Sequence, residues 1–202
     1  MNKVHIQSVA SPYDDPRVAP LAASALSRAE AMGLCSSAVG RLDSGAMDAL
    51  EARLAEAGIA RLVQRPAGSD PAETAGWLRA LHEALVGSPV PRTEWPALSR
   101  SLGLDLLSRL LGISLSSARR YLSGARKTPD VVAGRLHFLA LVAGDLAGAY
   151  NEIGVRRWFD RRRSALGGKT PAEVLTGDWS AEDDGPERVR ELAGALGFSP
   201  AT

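Results

Sequence analysis

Between residues 104 and 124 the chain reads LDLLSRLLGISLSSARRYLSG, and that run leaves few ways to fold. Leu107, Leu110 and Leu111 recur at helical spacing. Gly112 then stands where the chain must turn sharply, and glycine accepts the left-handed backbone such a turn needs. Ile113 fits the corner, and Ser114 is a good N-cap for a second helix. In that helix Ala118, Tyr121 and Leu122 point inward, while Ser116, Ser117, Arg119, Arg120 and Ser123 point out. Gly124 ends it. The pattern predicts a helix-turn-helix.

The rest of the 202-residue chain agrees with a helical fold. Ala and Leu are abundant and favour helix, and alternating β-branched runs are scarce. We expect an all-α chain, with a possible short strand at residues 4–9. Helices are predicted from Pro16 to Met32, from Met47 to Ala57 and from Pro71 to about Leu85, the last capped by Asp70. The apolar run 59–63 reads equally as strand or helix end. Further helices are expected at about 94–101, 104–111, 115–123, 130–150, 154–163, 171–175 and 187–196. Breaks at 65–70 and 87–91 suggest three parts. These are a helical extension (1–90), a helix-turn-helix domain (91–150) and a small C-terminal domain (151–202). Residues 33–45 and 112–124 match at five of thirteen positions. Chance among Ser, Gly and Ala explains this better than a degenerate second copy.

The overall charge of +1 hides an asymmetry. Residues 96–170 carry a balance of +8, residues 1–95 carry −2 and residues 171–202 carry −5. A basic middle suits a polyanion partner, although a solvated basic face has the same composition. On the second helix, small residues near the N-terminus let it approach base edges, and arginine can pair two donors with guanine. Ser114, Ser116, Ser117, Arg119, Arg120, Ser123, Arg126 and Lys127 are therefore the candidate DNA contacts. An ordinary packed helix pair is the rival reading.

The stretch GISLSSARRYLSGARKTPDVVAGRLHFLA resembles the Xre-type helix-turn-helix of bacterial antitoxins. Downstream, IGVRRWFDRRRSALGGKTPAEVLTGDW resembles the C-terminal toxin-binding region of the Xre/MbcA/ParS antitoxin family. The matching positions are Gly154, Trp158, Leu166, Gly168, Pro171 and Leu175, and VRELAGALGFS resembles the last helix. The likeness covers about residues 96–198. Two features depart from the pattern: Arg161–Arg163 stand where the family often has Pro-Asn, and residues 1–95 exceed the short N-terminus of many members. The resemblance implies an antitoxin. It would bind a toxin, often a RES-domain enzyme that degrades nicotinamide dinucleotide, and repress its own operon. An operator-reading helix-turn-helix usually works as a dimer, so a homodimer is expected.

In the C-terminal part, spacing alone puts Val155, Trp158 and Phe159 on one helical face. Arg157, Trp158, Arg161, Arg162, Arg163 and Lys169 are the candidate toxin contacts. The basic cluster 156–163 is read first as meeting an acidic partner surface, with DNA phosphate and plain solvation as the alternatives. The acidic run SAEDDGPE could fold near it or enter a basic cleft on a toxin. Catalysis is not expected. His5, His82 and His137 are scattered, Cys35 lacks a nearby histidine, and Asp14-Asp15 and Asp183-Asp184 sit in turn-like segments. No phosphate loop, zinc spacing or nucleophile elbow is present, so no metal or cofactor is expected. With one cysteine, no apolar core in the first residues and no membrane-length apolar run, a cytoplasmic protein is expected. A stand-alone regulator, or a protein-interaction module that reads no DNA, fits the same residues.

Overall fold

The computed structural model describes residues 6–35, 40–59, 65–68 and 70–197. Among them the chain forms ten α-helices and one pair of very short parallel strands, β1 (Ser8–Val9) and β2 (Arg41–Leu42). The helices are α1 (Ala19–Ala31), α2 (Ser44–Glu56), α3 (Pro71–Val86), α4 (Pro91–Leu102), α5 (Leu104–Leu110), α6 (Leu115–Leu122), α7 (Asp130–Ala147), α8 (Glu152–Phe159), α9 (Pro171–Val174) and α10 (Asp184–Gly197). The fold is a mostly α helical bundle.

Side-chain caps decide where several helices begin. Asp43 accepts from the Ala46 amide, Asp70 from Ala72 and Glu73, Ser114 from Ser117 and Asn151 from Gly154. Each satisfies a donor that the first helical turn cannot. Thr170 and Glu173 form a reciprocal capping box ahead of α9. The N-terminal expectation is shifted. Residues 15–18 form a turn in which Asp15 accepts from the Arg17 amide, and the helix starts only at Ala19. Among the described residues of the strand expected at 4–9, only Ser8–Val9 are strand, and residues 4 and 5 lie outside the described residues. Residues 60–64, which include most of the ambiguous apolar run, lie outside the described residues, as does His5.

α7 is the central helix. Residues 135–147 of it are all buried, and α1, α4, α8 and α10 pack around it. α1 also packs on α3 and α4, and α5 and α6 sit on α4. Gly144 makes the α1 contact possible: a Cβ there would stand 2.9 Å from the Arg28 Cα. One buried apolar cluster runs from Tyr13 to Ala193 and crosses both expected part boundaries. No helix among the described residues is long and apolar enough to cross a membrane.

Two further expectations change. The helix predicted over 154–163 ends at Phe159, so Arg161–Arg163 lie in a loop. Its continuation would have no apolar residue to bury, whereas folding back buries Leu166. The Arg163 amide donates to the Lys169 carbonyl, and the Gly168 amide to that of Arg163, closing the loop. The segment 33–45 holds the exit of α1, β2 and the cap of α2, so its described residues form no second helix-turn-helix.

Candidate nucleic-acid interface

α5 and α6 meet at the expected corner. Leu107, Leu110, Leu111 and Ala118 are fully buried, and Ile113 packs against the core from a partly buried position. Gly112 has φ +67°. A Cβ there would also stand 2.9 Å from the Gly177 carbonyl oxygen, so glycine is required by conformation and by space. Leu122, expected inside, is only half-buried.

Tyr121 orients the inner side of α6. Its ring lies 5.9 Å from that of Trp95, and the Arg126 guanidinium lies over it, 5.7 Å from the ring centre. The Trp95 indole donates to Thr128 Oγ1 at 2.9 Å, tying down the segment that leaves α6. With that side fixed, Ser114, Ser116, Arg119, Arg120, Ser123, Arg126 and Lys127 are exposed and Ser117 half-buried. The Ser114 hydroxyl lies 3.0 Å from those of Ser116 and Ser117, a cluster of hydroxyls at the start of the helix. No carboxylate among the described residues pairs with Arg119, Arg120, Arg126 or Lys127. Unpaired cations on a helix whose opposite side is buried can donate to phosphate oxygens and base edges.

The corner is held from the C-terminal side by residues that sequence reasoning missed. Arg135, on α7, is almost wholly buried. It donates to the Trp179 carbonyl (2.7 Å) and the Leu111 carbonyl (3.2 Å), and pairs with Asp178 at 2.5 Å. The Trp179 indole donates to the Leu110 carbonyl at 3.0 Å. Two open carbonyls at the end of α5 are thereby satisfied from residues 135 and 179. A lone tryptophan in TGDW was the only local signal, and nothing nearby named its partner.

In comparisons with protein-family models, with curated proteins and with solved structures, the chain matches none.

The C-terminal candidates separate into two groups. Arg157, Arg161, Arg162 and Lys169 are exposed. Arg162 donates to the Gly168 carbonyl and lies 3.8 Å from Glu173. Trp158, expected among the contact residues, is buried (1% exposed), edge-on to Phe159. The half-buried Arg163 guanidinium lies 5.3 Å from the Trp158 ring centre. Trp158 supports the basic loop from beneath and offers a partner no surface. Arg156, in the same cluster, caps α4 by donating to the Ser101 and Arg100 carbonyls. Arg109 pairs with Asp160 at 2.8 Å, joining α5 to the end of α8.

The histidines, the cysteine and the acidic pair of the described residues are engaged in contacts within the fold. His137 lies 2.6 Å from Glu94, and its other nitrogen, 2.9 Å from the Val86 carbonyl, must donate there because a carbonyl only accepts. Burial pushes the Glu94 carboxyl up. Arg28 pairs with Asp145 at 2.7 Å in the interior. His82 contacts the same guanidinium, and burial with the nearby Arg28 and Arg190 cations holds its imidazole down to about 4. Burial pushes the Cys35 thiol up to about 12, and the thiol points to the Leu26 carbonyl. Asp183 accepts from the Ser180 amide at the entry to α10.

Proposed function

We propose that the chain is a DNA-binding antitoxin that acts as a cytoplasmic homodimer and is not an enzyme. α6 would read an operator. The exposed basic residues Arg157, Arg161, Arg162 and Lys169, with the support of Trp158 and Arg163, would meet a toxin of the RES type. The observation that carries the DNA half is the outward face of α6, where unpaired cations and small hydroxyl residues sit opposite the buried Ala118 and Tyr121. The toxin half rests on the resemblance of residues 154–175 to a toxin-binding region and on their exposed cations.

Co-expression with the neighbouring reading frame tests the toxin half. The proposal expects a co-purifying complex and rescue of growth from that frame's product. Rescue without any binding to upstream DNA would favour a pure interaction module. DNA binding with no toxic neighbour would favour a stand-alone regulator.

A further inference from the structure

The polar chemistry left unused by the DNA reading lies between α7 and α10. There a cavity of about 730 Å³ opens beside Arg28 and Asp145, within the size range of small-molecule sites. Asp145 is committed to Arg28, accepting from Nε at 2.8 Å with Nη2 at 2.7 Å. Arg190 also lines the cavity. It is half-buried and has no hydrogen-bond or ion-pair partner among the described residues. Its guanidinium is poorly solvated and faces the charge of Arg28 as well as that of Asp145. A guanidinium so placed is costly until an anion meets it. The two guanidiniums of Arg28 and Arg190 thus share the single carboxylate of Asp145, and the three together keep one net positive charge.

The mouth has the opposite sign. Glu187 and Glu191 line it from exposed positions on α10. Phe138 and Leu141 supply an apolar wall. A purely anionic ligand would meet repulsion at the glutamates, and a polyanion more so. A ligand with a carboxylate at one end, an ammonium at the other and an apolar body satisfies all three surfaces.

We propose that the cavity between α7 and α10 binds a small zwitterion of the amino-acid class, its carboxylate on Arg190, its ammonium toward Glu187 and Glu191, its apolar group on Phe138 and Leu141. The site is independent of the α6 face, so it stands or falls apart from DNA binding.

Titration calorimetry on the full chain tests it with L-phenylalanine and L-leucine. 3-Phenylpropionate, which lacks the ammonium, and phenethylamine, which lacks the carboxylate, are the comparison ligands. At least one amino acid binds saturably at one site per chain. The two single-charge compounds bind at least about tenfold more weakly than L-phenylalanine if that is the ligand, and more weakly than L-leucine otherwise. Arg190→Gln weakens amino-acid binding at least about tenfold. The exposed change Glu191→Gln weakens the amino acid but not 3-phenylpropionate, and it decides the matter even if Arg190→Gln does not fold. Three results would each overturn the site. They are no binding of either amino acid up to about 10 mM, either single-charge compound binding as well as the amino acid, and amino-acid binding unchanged in the variants.

Discussion

Replacing Gly112 by alanine isolates what holds the α5–α6 corner. The backbone there has φ +67°, and placing an L side chain in that region costs roughly 1–2 kcal/mol. The new methyl would also stand 2.9 Å from the Gly177 carbonyl. That carbonyl cannot simply retreat, because Arg135 and Trp179 fasten its loop to α5. Crowding of this kind adds about 1–3 kcal/mol. Gly112→Ala is therefore expected to lose about 3 kcal/mol, which lowers Tm by about 6–12 °C in a chain of this size. Gly124→Ala is the control: its φ is +71°, but no atom lies within 4 Å of the added carbon. It should lose only the backbone part, about 1–2 kcal/mol. Urea unfolding of the two variants measures the difference. Equal losses, or a neutral Gly112→Ala, would refute the claim that the C-terminal loop is pressed against the turn.

Other consequences are as direct. Arg135→Met should cost about 2–4 kcal/mol by urea unfolding, because it leaves the buried Trp179 and Leu111 carbonyls without a donor. Asp178→Ala, at a fully exposed side chain, should stay within about 0.5 kcal/mol, so equal effects would place the energy in the ion pair instead. The His82 imidazole is held down to about 4 from an ordinary 6.5, so the folded state binds fewer protons than the unfolded state between those values. Stability from this group is full above pH 6.5 and falls as the pH drops toward 4. His82→Gln should flatten that slope relative to the parent chain, and an unchanged slope would show that another group carries it.

What could be read in the sequence was local. Asp70, Ser114 and Thr170 cap helices because their oxygens reach amides two or three residues on. Gly112 and Gly124 take positive φ where the apolar spacing demanded a turn. The outward set on α6 followed from the same spacing. What could not be read was long-range. Arg28 and Asp145 stand 117 positions apart, and Arg135 and Trp179 stand 44 apart, so no periodicity links them. Arg161–Arg163 misled in the other direction: arginine favours helix, but a loop that buries Leu166 won. Trp158 was legible as a packing residue by its spacing from Val155, and its burial removes it from the contact surface while leaving its exposed neighbours there.

The central claim is that α6 addresses DNA through its unpaired cations. Fluorescence anisotropy of the parent chain on its own upstream DNA, across a salt series, tests this most directly beside Arg119→Ala/Arg120→Ala. The parent is expected to bind with an affinity that falls steeply with salt. The double variant should keep its far-UV spectrum and lose about 1–3 kcal/mol of discrimination for each arginine on a base. For each arginine on a phosphate it should instead lose about 0.9 from the magnitude of the salt slope. A folded double variant with the parent's affinity and the parent's slope would contradict the account.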